Sequence, residues 1–139
     1  DKDLPYDRTT ETQIKQKLRA LVVEDEDIIR KFVKSTLTNA GITVIEAGNG
    51  IEAIDIFRKS YKEIDLVILD MIMPGIKGDD VLREIRKICS DIKIIVVSGF
   101  MSERQRQSLQ EHHVDAFLNK PFKDKDLIRT ICSIPGMSC

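Results

Sequence analysis

Leu66-Val67-Ile68-Leu69-Asp70-Met71-Ile72-Met73-Pro74-Gly75 decides the fold. It opens on a short run of large apolar residues, too few for a helix, and a Pro-Gly turn closes it, so it reads as a strand buried on both faces. Asp70 then stands at the strand's carboxyl end. In an open parallel sheet that edge is where ligands bind, because the loops leaving the strands form a crevice there. A carboxylate so close to an apolar interior is costly unless a cation meets it. The rest of the chain is therefore expected to supply one.

Upstream, Ala20-Leu21-Val22-Val23 is a second buried strand, and it runs straight into Glu24-Asp25-Glu26-Asp27. Ile28, Ile29, Phe32, Val33 and Leu37 recur at helical spacing up to Ala40-Gly41, where the glycine is placed as a C-terminal cap. Ile42 to Glu46 is a short β-branched strand, and Asn49-Gly50 turns into a helix with Ile51, Ala53, Ile54 and Phe57 as its expected face. Downstream of Pro74-Gly75, Val81, Leu82, Ile85, Ile88 and Cys89 mark another helix, and Ile92 to Val97 a strand closed by Ser98-Gly99. Ser102 to His113 carries only Leu109 as a clear apolar anchor, so a helix there is expected to open more easily than its neighbours. Ala116-Phe117-Leu118 is the last strand, broken by Lys120-Pro121, and Leu127, Ile128, Ile131 and Cys132 mark a final helix. Repeated β-α units under the right-handed crossover rule build an α/β doubly wound, five-stranded parallel sheet with helices on both faces. The pattern leaves the strand order open.

The length of 139 residues suits one domain. Residues 1–17 read as a charged linker or frayed arm, 18–133 as the domain and 134–139 as a tail. With 22 basic and 23 acidic residues the formal charge is −1, so no global field holds nucleic acid or an anionic membrane. Cys89, Cys132 and Cys139 form no C-x-x-C pair and are odd in number, which argues against a disulfide framework or zinc site and for a reducing, cytoplasmic setting. No stretch approaches the roughly 18 apolar residues of a membrane span, and the polar start is not a signal peptide. Because the sequence opens on Asp1, it is expected to be a piece of something longer.

At the strands' carboxyl ends stand Glu24 and Asp25, Asp70, Ser98 and Lys120. Acids gathered in one crevice repel one another unless a hard cation joins them, and Mg²⁺ suits because it takes oxygen ligands and keeps several waters. Lys120 is a compact charge able to neutralise a phosphoryl oxygen, and Ser98 a hydroxyl able to donate to another. The set matches what transfer of a phosphoryl group onto a carboxylate needs.

From about Ala20 to Ile131 the chain resembles the receiver domains of two-component signal transduction, the CheY-like superfamily. The resemblance rests on Val22-Val23-Glu24-Asp25, Leu69 to Gly75, Val97-Ser98-Gly99 and Lys120-Pro121-Phe122, at separations of 45 (25 to 70), 28 (70 to 98) and 22 (98 to 120). It implies a flavodoxin-like fold with strand order 2-1-3-4-5. It implies that Asp70 accepts phosphate from a histidine kinase or a histidine phosphotransfer domain, and that Glu24, Asp25, Asp70 and the backbone carbonyl of Ile72 hold Mg²⁺ or Mn²⁺. It makes Ser98 and Phe117 a switch pair and Lys120-Pro121 a cis peptide. The domain so read is no enzyme on its own, though it promotes its own phosphorylation and dephosphorylation. The C-terminal receiver of a hybrid sensor kinase is one context for it.

Plainer roles stand beside these. A lone Asp after a strand is usually an Asx turn or a cap, Ser98 a turn hydroxyl and Phe117 core. Glu24 and Asp25 would also serve as helix caps, a job expected of Glu26 and Asp27. Met71 and Met73 read as packing residues, and His112 and His113 as solvated. Two departures from the commonest receiver pattern matter: Glu24 replaces the more frequent Asp, and Ile72 and Phe100 put apolar bulk where an attacking water would pass. Other classes on the same chain are a degenerate receiver used only for protein contacts, an aspartyl-phosphate phosphatase, and a flavin or nucleotide carrier. The phosphatase wants a second acid where Ile72 stands, and the carrier a glycine loop where Glu24 to Asp27 stand.

Overall fold

The computed structural model describes residues 17–99 and 101–137. Leu66–Asp70 is β3, and every one of its residues is buried. It is the middle of five parallel strands in the order β2-β1-β3-β4-β5, with β1 at Arg19–Val23, β2 at Thr43–Ala47, β4 at Lys93–Ser98 and β5 at Ala116–Asn119. The helices are α1 (Asp27–Asn39), α2 (Gly50–Ser60), α3 (Gly78–Ile88), α4 (Glu103–Gln110) and α5 (Asp124–Cys132), with a short 3₁₀ turn at Tyr61–Glu63.

Side chains alternate across a strand, so each apolar run feeds two cores. Val22, Leu66, Ile68, Ile95 and Val97 pack with Val33 and Leu37 of α1 and Leu127 and Ile131 of α5. Leu21, Val67, Leu69, Ile94 and Val96 pack with Phe57 of α2, Leu82 and Ile85 of α3 and Leu109 of α4. That double coverage is why the strands read as continuous apolar runs instead of alternating ones.

The doubly wound fold and its strand order agree with expectation, and the differences are local. On α1 the buried residues are Val33, Thr36 and Leu37, while Ile28 is 84% exposed and Phe32 40%. At about 100° per residue, both fall off the stripe set by Val33 and Leu37. Ile51 stands outside in the same way (68% exposed), because Gly50, Ala53, Ile54 and Phe57 set the phase of α2. β2 and β4 each begin one residue later than expected, leaving Ile42 and Ile92 buried just before them.

Beyond α5, Ile134 is buried against the α1 and α5 core. Cys89 is free but Cys132 is disulfide-bonded, which departs from the reducing setting expected of the cysteines: an odd count excludes complete pairing, not one pair. The arm expected over 1–17 lies outside the described residues except for Lys17. Among the described residues no helix is long and apolar enough to cross a membrane.

Candidate functional site

The parallel register brings the strand ends to one edge. Asp70 closes β3 opposite Val97 of β4, and the amide of Met71 donates to the Val97 carbonyl at 3.1 Å. Ser98 closes β4 opposite Asn119, and its carbonyl accepts from the Lys120 amide at 2.8 Å. These ladder bonds fix where the Asp70, Ser98 and Lys120 side chains start. The Lys120-Pro121 peptide is cis.

Lys120 is the cation that buried Asp70 calls for. Its Nζ lies 3.2 Å from Asp70 Oδ2 and 3.1 Å from Glu24 Oε1, and Glu26 Oε1 is 4.0 Å away. Asp70 Oδ1 accepts from the Ile72 amide at 3.1 Å, so the aspartate also makes the local turn bond. The functional and the bland reading of that residue hold together. Glu24 and Asp70 are both 3% exposed.

Electrostatics follow from that burial. Burial pushes the Glu24 carboxyl up to about 7, and nearby Asp70 pushes the same way, against the Glu26 amide and the Lys120 ammonium. For Lys120 burial pulls downward, but Glu24 and Asp70 outweigh it and hold the ammonium above its ordinary range. The shared proton-rich state is therefore a charged lysine between two acids, one of them readily protonated.

Glu24, Asp25 and Asp70 each offer a carboxylate oxygen, all within 4.8 Å of one another. Hard oxygen donors at that spacing, carrying excess negative charge, fit a small divalent cation such as Mg²⁺. The expected acids are thus brought together. Ile72 contributes an exposed side chain (69%) at the rim, and Phe100 lies outside the described residues.

Ser98 is 2% exposed, and among the described residues its Oγ has no hydrogen-bond partner. Leaving a buried hydroxyl unpaired costs about 1–3 kcal/mol. It borders a cavity of about 370 Å³ lined by Met71, Met101, Arg104 and Leu109. Phe117 is half-buried on β5 and packs against the Leu109 side of the sheet. The Arg106 guanidinium of α4 sits over its ring, 5.1 Å from the centroid.

Three contacts carry no signal in the sequence. Arg106 against Phe117 joins elements whose approach no local pattern announces. Arg30 donates to the Glu24 carbonyl at 2.8 Å. Glu26, expected to cap α1, sits at the N-cap position without a side-chain cap bond, its carboxylate turned toward Lys120.

The sequence matches the response regulator receiver domain over residues 20–132. The chain belongs to that family. This receiver domain of two-component signalling is 38% identical over 120 residues to the sensor kinase CckA of Brucella abortus, spanning 86% of the present chain and 13% of that protein. It is 41% identical over 119 residues to the probable transcriptional regulator ycf27 of Porphyra purpurea, spanning 86% of this chain and 48% of the relative. The receiver thus spans about half, or less, of the curated relatives it matches. Among solved structures it resembles the chemotaxis protein CheY4 of Vibrio cholerae, with a TM-score of 0.80 at 26% identity over 86% of this chain and 99% of that one. It also resembles the CheX-CheY-BeF3-Mg complex from Borrelia burgdorferi, with a TM-score of 0.80 at 25% identity over 84% and 87% of the two chains.

Proposed function

We propose that this receiver accepts a phosphoryl group on Asp70 from the phosphohistidine of a histidine kinase or histidine phosphotransfer domain. The observation that carries the reading is Lys120 Nζ at 3.2 Å from Asp70 Oδ2, beside the acid cluster. An Asp70 oxygen attacks the phosphorus in line as the P–N bond breaks, and the imidazole nitrogen leaves with the electron pair and takes up a proton. Glu24, Asp25, Asp70 and the Ile72 carbonyl would hold Mg²⁺ or Mn²⁺, which when bound supplies neutralisation of the phosphoryl oxygens. Lys120 meets the charge at the other side, and Asp70 is held for attack by the Ile72 amide.

The unpaired Ser98 hydroxyl gains a partner in the new phosphoryl oxygens. Its movement makes room for Phe117 to turn inward, and α4, held by Leu109 and by a local capping box between Ser102 and Gln105, shifts with it. This is a change of population between two packings, biased by a few charge-assisted hydrogen bonds. The α4 and β5 surface is then what an effector reads. Ile72 and Phe100 slow hydrolysis by shielding the acyl phosphate from water. The domain works as the substrate of a kinase, without nucleic-acid contacts of its own. Similarity to the sensor kinase CckA supports a place within a hybrid kinase.

Incubation with Mg²⁺ and acetyl phosphate tests this. Covalent labelling that disappears in Asp70→Asn supports the phosphoacceptor. Steady turnover without label points to a phosphatase, and silence to a receiver used only for contacts.

A further inference from the structure

Arg30 is the fourth residue of α1, and its side chain is only 17% exposed. Its guanidinium makes three different bonds. Nη1 donates to the Glu24 carbonyl at 2.8 Å, Nε donates to Glu46 Oε1 of β2 at 3.2 Å, and Nη2 donates to Asp27 Oδ1. The first of these bears on the site. The Glu24 carbonyl belongs to the peptide that joins Glu24 to Asp25, the two acids the first strand delivers to the cluster.

That peptide lies between the two residues that carry the carboxylates. Glu24 is held on its amide side by the Ala47 carbonyl at 3.0 Å and on its carbonyl side by Arg30. Glu46 and Ala47 are consecutive residues of β2, so the amide and the Arg30 fork are referenced to the same strand. From this geometry we infer that Arg30 is a positioning residue for the divalent-cation site: it orients the Glu24-Asp25 peptide, and through it the carboxylates, without touching the ion.

The inference rests on the metal-binding reading of the cluster, and the sign of one measurement separates it from a charge effect. Arg30 is cationic and near the acids. If it acted only by its charge, removing it would tighten cation binding, because like charges repel. If it acts by orientation, removing it weakens binding in spite of the lost repulsion. Lysine keeps the charge but offers a single ammonium, unable to fork to Glu24, Glu46 and Asp27 at once.

The test is titration of the full chain with MgCl₂ by calorimetry, in the wild type, Arg30→Met and Arg30→Lys, with folding checked by circular dichroism. The Asp25 amide is followed in parallel by ¹H-¹⁵N correlation spectra. Outer-shell partners of metal ligands commonly cost roughly 10-fold or more in affinity, and about 10-fold weaker Mg²⁺ binding is expected in Arg30→Met. Arg30→Lys is expected to weaken it as well, with the Asp25 amide displaced before any Mg²⁺ is added. Should Arg30→Met not fold, the lysine variant alone decides, since it alters geometry at constant charge. Unchanged or tighter binding in the folded variants overturns the positioning role while leaving the phosphoacceptor reading intact. A wild type that binds no Mg²⁺ at millimolar concentration overturns both.

Discussion

Lys120 Nζ stands 3.1 Å from Glu24 Oε1, so the ammonium that faces Asp70 is shared with a second buried acid. A glutamate's extra methylene gives that acid the reach to touch the lysine from the end of β1. Glu24 therefore pairs with the lysine from within the same acid cluster that is proposed to take a divalent ion.

The pH dependence follows from Glu24. Its carboxyl titrates near 4.5 when unfolded and near 7 in the native protein. A folded-state value raised above the unfolded one means the contribution to stability is complete below the lower value and is lost as pH rises through the higher. In the absence of divalent ions, the urea midpoint is expected to fall between pH 5 and 7.5. Glu24→Gln should flatten that fall, and equal slopes in the two proteins would contradict the assignment.

Mg²⁺ affinity should move the opposite way. A proton on Glu24 competes with the ion, so the dissociation constant is expected to tighten as pH rises through about 7. Calorimetric titrations at pH 6 and 8 check this.

Lys120→Met removes the cation between Glu24 and Asp70. Mg²⁺ binding is expected to survive, because an ammonium no longer competes for the acids. Labelling by acetyl phosphate should fall by about 10²- to 10³-fold, the usual size of losing one charge-stabilising donor.

The Arg106 guanidinium sits over the half-buried Phe117 ring, and in the proposed switch it favours that position. An exposed cation–π contact is worth about 0.5–1 kcal/mol, so Arg106→Leu should raise the inward population, and the labelling rate, by about 2- to 5-fold. Phe117 ring chemical shifts report the population directly.

Ile72→Asn combined with Phe100→Glu tests the proposal that these two apolar residues slow hydrolysis of the Asp70 acyl phosphate. Faster loss of the phosphoryl group after removal of the donor is expected, measured as the decay of the phosphorylated mass. An unchanged lifetime would overturn their proposed role in slowing hydrolysis.

Much of this architecture was legible because both cores demand unbroken apolar strands. Val22 to Asp25, Leu69 to Asp70, Val97-Ser98 and Lys120-Pro121 mark strand ends in plain sequence, and the fold carries those ends to one edge. Ile28, Phe32 and Ile51 depart from expectation because apolar identity alone does not give helical phase, which is set by Val33, Leu37 and Gly50. Arg30 and Arg106 were invisible for another reason. Their partners, the Glu24 carbonyl and the Phe117 ring, lie on other elements, and nothing in a run of charged residues says which arginine crosses the gap.

The most direct measurement is chemical. The wild type is treated with acetyl phosphate and Mg²⁺, the acyl phosphate is trapped by borohydride reduction, and the peptides are sequenced by mass spectrometry. Homoserine at position 70 alone, absent when the ion is chelated, is the expected result; reduction at another carboxylate, or at none, would contradict Asp70 as the phosphoacceptor.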